Sequence, residues 1–361
     1  MGVPGRPVAG RYLLEEPLGQ GGMGSVWRAR DLALDRPVAL KEIHLGQTRT
    51  KAELETALAR VRREARAAAR IRHPNVVVVH DYVEGRPPDD GPWIVMELVE
   101  GRTLSDVLDA SPGGLPERDA AVIGRAVLNA LTAIHGQGVV HRDVKPANVI
   151  LRDSSDDLGA AVCLVDFGTA TITGYRTITV KELIGTPHFM APERFTSAAG
   201  PASDLWSLGV LLYVLIEARY PFPGRTFGEI AASVHRDPPL PTTNAHLLRP
   251  LLTALLTKSP TTRLPAPAAS LLLTAATHPP QPNPQLPPPT PPPEPDPPKP
   301  TPQPTATRDP VAVILDKVFG GIAPTHPHPT PGPAPAPAPA PGPGPSPGQG
   351  PDQGPRPTLG P

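Results

Sequence analysis

The sequence predicts an α+β fold of two lobes, a small β-rich lobe with one key helix and a larger α-helical one, followed by a disordered proline-rich tail. Three observations predict it. From Arg11 to about Asp109, short apolar or alternating runs are bounded by Gly, Pro or Asp. From about Pro116 to Ala276 the pattern turns mostly helical. Most of the 56 prolines of the 361-residue chain lie beyond about Pro279.

In the first lobe, strands are expected over Tyr12–Leu18, Ser25–Ala29, Pro37–Ile43, Val76–Val83 and Trp93–Leu98. Between them, Lys51–Arg70 is rich in Ala, Leu, Glu and Arg, all strong helix formers. In the second lobe the expected helices are Glu117–Gln137, Ser203–Glu217, Thr226–His235 and Leu247–Leu256. The organisation that follows is a leader over 1–10 and a folded domain over 11–277, its lobes meeting near residue 100. The tail, 278–361, carries runs such as PAPAPAPAPGPGPSPG, which favour extended polyproline II and cannot bury enough apolar surface to offset the entropy of ordering. One apolar interruption, Val311–Ile322 within 310–322, reads as a transiently ordered helix or strand rather than a docking segment.

Charge and cysteine content narrow the classes. With 34 basic and 34 acidic side chains the net charge is zero, which gives no electrostatic reason to expect nucleic acid as a partner. The single cysteine, Cys163, cannot close an intramolecular disulfide, so a reducing compartment is expected. The opening MGVPGRPVAG lacks the apolar core of a signal peptide. The longest strongly apolar stretch, near Leu208–Ile216, is about nine residues where a membrane-spanning helix needs ~20. A soluble, cytoplasmic chain with no membrane span is the expectation.

The first candidate site is Leu18-Gly19-Gln20-Gly21-Gly22-Met23-Gly24-Ser25-Val26. Glycines 19, 21 and 24 satisfy G-x-G-x-x-G, where a backbone without Cβ atoms can close over a ligand and turn N–H groups toward phosphate oxygens. A dinucleotide-binding turn shares the spacing but should lead into a helix. Here Ser25–Ala29 is strand-like, which favours a glycine-rich hairpin, and a plain hairpin turn remains open. In Val38-Ala39-Leu40-Lys41, strand alternation puts Ala39 and Lys41 on one face. A strand lysine is often just exposed, and Glu64 among the arginines of the long helix often just solvated. Their order, a cation followed one helix later by a carboxylate, raises both.

The second lobe adds His141-Arg142-Asp143-Val144-Lys145-Pro146-Ala147-Asn148, then Asp166-Phe167-Gly168, then Ala191-Pro192-Glu193. Asp143 can accept a hydroxyl proton, and Asn148 and Asp166 offer oxygen to a hard cation. With the glycine loop and Lys41, this ordered series resembles the eukaryotic-type (Hanks-type) protein kinase family over about Arg11 to Ala276. GQGGMGSVW and His73-Pro74-Asn75 look most like its bacterial serine/threonine branch, and Lys145 in Asp-Val-Lys-Pro-Ala-Asn is the serine/threonine pattern.

The resemblance implies a bilobal protein-kinase-like fold that transfers the γ-phosphate of ATP to serine or threonine hydroxyls of protein substrates. It places the adenine between Val26 and Ala39 above and Ile150 below. Met96 is the gatekeeper, and the hinge from Glu97 to Val99 offers backbone hydrogen bonds. It gives Lys41 the α- and β-phosphates, with Glu64 orienting it. Asn148 and Asp166 hold Mg²⁺ (or Mn²⁺), Asp143 orients the hydroxyl, and Lys145 balances charge. Thr186 in Gly185-Thr186-Pro187 contacts Asp143. Thr177 and Thr179 sit closest to the family's usual autophosphorylation position, which implies a transient homodimer. Asp204 is expected to brace the catalytic loop and Arg263 to pair with Glu193.

Two features depart from the pattern: a long Asp153–Gly159 segment, read as an enlarged hairpin tip, and Ala68 where a bulkier residue is common. Alternative readings are a pseudokinase scaffold acting through its proline-rich tail, and a small-molecule kinase of related fold. Intact Lys41, Asp143, Asn148 and Asp166 argue against the first, and Ala191-Pro192-Glu193 with Asp204 and Arg263 against the second. The tail's prolines also suit a partner of the SH3 or WW kind, although its Pro-Ala repeats read more as a spacer.

Overall fold

The computed structural model describes residues 2–21, 24–44, 50–85, 91–166, 187–195 and 200–277. Gly22, Met23, Phe167, Gly168, the loop threonines Thr177, Thr179 and Thr186, and the tail with its 310–322 segment lie outside the described residues.

The first lobe is an antiparallel sheet. Its strands are β1 (Pro7–Val8), β2 (Tyr12–Gly21), β3 (Gly24–Asp31), β4 (Arg36–Glu42), β5 (Val79–Val83) and β6 (Trp93–Met96), in the order β1-β2-β3-β4-β6-β5. Period-two alternation sorts its side chains. Val38 and Leu40 point to the outer face, where they pack with Val8, Tyr12, Leu14, Trp27, Trp93 and Val95. Ala39, Ile94 and Met96 point inward and join the main core. Strand β2 slips register between Leu14 and Glu16 and again between Pro17 and Gly19. Pro17 has no N–H to give the ladder, so a bulge there is the expected accommodation.

Strand β1 lies within the stretch read from sequence as a leader. Gly5 N–H donates to Leu14 O at 2.8 Å, Leu14 N–H donates to Arg6 O at 3.0 Å, and Val8 is buried. Two residues of strand carry too little periodicity to be seen in advance.

Helix α1 (Lys51–Ala68) opens on a capping box: Thr50 Oγ1 accepts from Glu53 N–H at 3.3 Å, and Glu53 Oε2 accepts from Thr50 N–H at 2.9 Å. Ala57, Val61, Ala65 and Ala68 form its buried stripe, and small side chains there let the helix lie close to its neighbours.

The second lobe contains α2 (Leu104–Asp109), α3 (Glu117–Gly136), α4 (Leu158–Ala161), α5 (Pro201–Glu217), α6 (Phe227–Arg236), α7 (Arg249–Leu255) and α8 (Ala266–Thr277). A small sheet in the order β7-β8-β9, with β7 (Gly101–Thr103), β8 (Val149–Arg152) and β9 (Val162–Leu164), sits among them. From Ser203 to Glu217 every residue of α5 is buried, which explains its largely apolar sequence: it is the central helix of the lobe. Among the described residues, no helix is long and apolar enough to cross a membrane.

The segment read as a hairpin tip leads into α4, one turn whose cap Asp157 Oδ1 accepts from Ala160 N–H at 2.7 Å. It is anchored by Asn75, whose Nδ2 donates to Gly159 O at 2.8 Å and to Val162 O at 2.7 Å.

Candidate active site

The glycine-rich segment forms the end of the β2–β3 hairpin, with Gly21 opposite Gly24, Gln20 opposite Ser25 and Gly19 opposite Val26. Gly24 has φ +148°, and a Cβ there would stand 1.8 Å from Glu42 O. Only glycine fits so close to β4 in that conformation. Around Gly19 a Cβ would meet nothing within 4 Å, and Leu18 is half exposed, so this edge is open.

Strand β4 carries the cation. Val26 is the register partner of Lys41, and Ala39 that of Met96, so Val26, Ala39, Lys41 and Met96 lie on adjoining strands. Ile150 of β8 lies opposite Thr103 and Cys163 in the small sheet. At the hinge, Glu97 N–H donates to Val78 O at 2.8 Å. Lys41 is buried, and its Nζ lies 3.0 Å from Asp166 Oδ2. Glu64 Oε1 lies 4.0 Å from Arg142 Nη1.

The segment His141–Asn148 is held from several sides. Asp204, fully buried near the start of α5, accepts from His141 N–H at 2.8 Å, Arg142 N–H at 2.7 Å and His135 Nε2 at 2.7 Å. Arg142 adopts φ +69° and Asp166 φ +63°, conformations that cost a non-glycine residue about 1–3 kcal/mol and persist only when surroundings enforce them. Arg194 Nη1 adds a further bond to the Arg142 carbonyl. Neither His135 nor Arg194 stood out in the sequence, because each acts on the loop only after the chain has folded.

His141 is buried, which lowers its pKa and favours the neutral ring. Its Nδ1 accepts from Asp143 N–H at 3.2 Å, so the proton resides on Nε2 and is donated to Val165 O at 3.0 Å. One ring thereby joins the residue before Asp166 to the backbone of Asp143.

The Asp143 carboxylate receives Lys145 Nζ at 2.8 Å and Asn148 Nδ2 at 2.9 Å. Burial alone would raise its pKa; the charge and hydrogen bond of Lys145, with His141 and Asn148, outweigh that and hold the carboxyl below its ordinary value. Asn148 Nδ2 also donates to Asp143 O at 2.7 Å, which orients the amide so that Oδ1 is its remaining acceptor. Val165 N–H donates to Asn148 O at 2.9 Å, closing the circuit to Asp166. Lys41, Asp166, Asn148, Asp143 and Lys145 are thus linked in series, Asp166 and Asn148 through the backbone of Val165.

These residues fit a nucleotide with a divalent cation. Asn148 Oδ1 and Asp166 are oxygen donors suited to a hard ion, and a close-packed glycine hairpin adjoins the strand that carries Lys41. Among the described residues no cluster of three His, Cys, Asp or Glu forms a closed metal cage. An ion bound partly by phosphate and water does not need one.

Farther along, Glu193 and Arg263 form a two-pronged pair, Nη1 to Oε1 at 2.7 Å and Nη2 to Oε2 at 3.0 Å. Ser203 Oγ donates to Glu193 Oε1 at 2.8 Å, which ties the Ala191-Pro192-Glu193 segment to the start of α5.

A protein kinase domain model matches residues 12–272. Among curated proteins, the chain is 38% identical over 281 residues to serine/threonine-protein kinase PksC of Streptomyces coelicolor, covering 73% of this chain and 49% of that protein. It is 36% identical over 229 residues to serine/threonine-protein kinase PrkC of Bacillus subtilis, covering 63% and 33%. With serine/threonine-protein kinase PknA of Mycobacterium tuberculosis it shares 34% identity over 289 residues, 77% of this chain and 65% of the relative. The chain therefore spans from a third to just under two thirds of the length of these relatives. A bilobal fold, a continuous circuit from Lys41 to Asp143 and a domain match over most of the chain converge: this protein belongs to the protein kinase family, in its bacterial serine/threonine branch.

Proposed function

We propose that the protein transfers the γ-phosphoryl group of ATP to serine and threonine hydroxyls of protein substrates. The observation that carries this reading is the contact circuit from Lys41 through Asp166 and Asn148 to Asp143 and Lys145. Phosphoryl transfer asks the protein mainly for positioning and charge neutralisation.

In this reading Asn148 and Asp166 hold Mg²⁺, with Mn²⁺ as an alternative, and the bound ion neutralises charge building on the phosphates. Lys41 holds the α- and β-phosphates, and Glu64 belongs with it. Its proximity to Arg142 supports a regulatory role, since Arg142 is next to Asp143 and is the cation a loop phosphate would seek. Asp143, kept ionised by its neighbours, orients the substrate hydroxyl and accepts its proton, while Lys145, paired with it, balances charge on the transferring group. Leu18, Gly19, Gln20, Gly21, Gly22, Met23, Gly24, Ser25 and Val26 cover the phosphates. Ala39, Met96, Glu97, Val99 and Ile150 frame the base. A cytoplasmic, reducing setting suits the buried thiol of Cys163.

The test is transfer from radiolabelled ATP by wild type and Asp143→Asn, with phosphoamino-acid analysis. The expected result is label on serine or threonine with wild type and a loss of about 10²–10⁴-fold in rate for the variant. Label on tyrosine, or equal labelling by both proteins, overturns the proposal. A pseudokinase scaffold would give no label at all.

Autophosphorylation at Thr177 or Thr179, through a transient homodimer, is part of the same proposal. A phosphate there adds about −1.5 to −2 charge and would order the segment against Arg142. Intact mass and peptide mapping after incubation with MgATP check it, and unmodified loop peptides from an active enzyme would remove it.

A further inference from the structure

The hinge carries a side-chain linkage that the roles above leave unused. Arg152, at the end of β8, reaches back to Glu97: its Nη1 bonds Glu97 Oε1, and Nη2 lies 3.5 Å from Oε2. Nη2 also donates to Cys163 Sγ on β9 at 3.1 Å, so the guanidinium spans two strands of the small sheet. On the other side, Glu97 Oε2 accepts from Val78 N–H at 3.3 Å while Glu97 N–H donates to Val78 O at 2.8 Å. One carboxylate therefore joins β8 of the second lobe to the entry of β5 in the first. Both side chains are mostly buried, 18% and 28% exposed, so solvent screens the pair only in part.

The surrounding backbone points the same way. Asp153 N–H donates to Glu100 O at 3.2 Å, and Gly101 pairs with Arg152 in the β7–β8 ladder. At Gly101, with φ +150°, a Cβ would stand 2.0 Å from Leu151 O, so hinge and β8 are in close contact there. The segment from Glu97 to Gly101 is fastened to β8 at one end by backbone and at the other by the Arg152 guanidinium. Ile150, two residues before Arg152, is the floor of the proposed base site, and Glu97 opens its hinge wall.

We infer that Arg152, acting through Glu97, is a positioning residue that fixes the distance between the hinge wall and the Ile150 floor, and so sets affinity for the nucleotide base. This rests on the nucleotide-binding reading of the cleft. The linkage touches neither Asp143, Lys145, Asn148 nor Asp166, so it acts on base binding more than on the transfer step.

The test uses the full chain. Kd for MgADP by titration calorimetry, and KM for MgATP and kcat from peptide phosphorylation, are measured for wild type, Arg152→Gln, Arg152→Lys, Glu97→Gln and the double variant Arg152→Gln/Glu97→Gln. The expected result for Arg152→Gln is a rise of about ten-fold in Kd and KM, the size a lost charged hydrogen bond gives, with a much smaller change in kcat. Arg152→Lys should recover part of the affinity, and the double variant should bind no more weakly than Arg152→Gln alone. If Arg152→Gln does not fold, Glu97→Gln against wild type carries the same comparison. MgADP affinity within two-fold of wild type in a folded variant overturns the inference. So does a lower melting temperature and kcat with unchanged Kd, the mark of a merely structural pair. A wild-type chain that binds no MgADP overturns instead the reading on which the inference rests.

Discussion

At the residue scale, the charge state of Asp143 decides what the site can do. Buried carboxylates tend to hold their protons, and a protonated Asp143 could not accept one from a substrate. Lys145 is the largest influence opposing burial, ahead of His141 and Asn148. The folded-state pKa is depressed, so the ionised form persists through the whole neutral range and is lost only below the ordinary carboxylate value of 3.8. Activity from pH 8 down to about pH 5 should therefore show no decline assignable to Asp143. Replacing Lys145 by Ala removes the main opposing charge and leaves burial in control, so the acid limb of kcat/KM should move upward. A pH–rate profile of wild type and Lys145→Ala checks this, and superimposable acid limbs would remove Lys145 from control of Asp143.

At the element scale, the Glu193–Arg263 pair works as a rivet. The Arg263 side chain is fully buried and, besides Glu193, donates to Ala202 O, Thr257 O and Lys258 O at 2.7, 3.0 and 3.0 Å. It thus joins the segment Pro192–Phe195, the start of α5 and the loop after α7. Arg263→Met would leave Glu193 without its main partner and remove the guanidinium donor from three carbonyls. Breaking one side of such a pair costs about 3–5 kcal/mol, to be read as a lower urea midpoint. The pH dependence has a definite sign. Burial raises the pKa of Glu193, but Arg263 and Ser203 outweigh it, and the folded value lies below the ordinary 4.5. Its contribution is complete above that value and is lost as pH falls through the folded one. Wild type should therefore lose more stability between pH 5 and 3 than Arg263→Met does.

At the scale of the whole molecule, one continuous core runs from Ala39 and Met96 through Leu131 to α5, α7 and α8, while the outer face of the first sheet has a separate cluster around Trp27 and Trp93. The proposed nucleotide site draws on both lobes, since Lys41 and Asp166 come from opposite sides of it. A ligand that binds only the native arrangement stabilises the fold by mass action. MgADP at a hundred times its Kd should add about 2.7 kcal/mol, seen as a rise in melting temperature that saturates with concentration. Asp166→Ala should abolish the Mg²⁺-dependent part of that rise. An equal rise for both proteins would separate Asp166 from the metal.

By itself the sequence determined the kind of chemistry and most of the elements. Lys41, Asp143, Asn148 and Asp166 belong to short ordered motifs, and α1, α3 and α5 announce themselves through composition and length. Such signals are local: a glycine hairpin, a strand lysine and a run of helix formers depend on neighbours within a few residues. Weak or short patterns were the ones not legible, among them β1, α2, α4 and α8. Only the tertiary structure decided that Asp204 would gather His135, His141 and Arg142, that Asn75 would anchor α4, and that Arg152 would reach Glu97. Each of those contacts joins residues tens of positions apart. Which donor meets which acceptor across such a separation is fixed by how helices and sheets pack, and no sequence period encodes that.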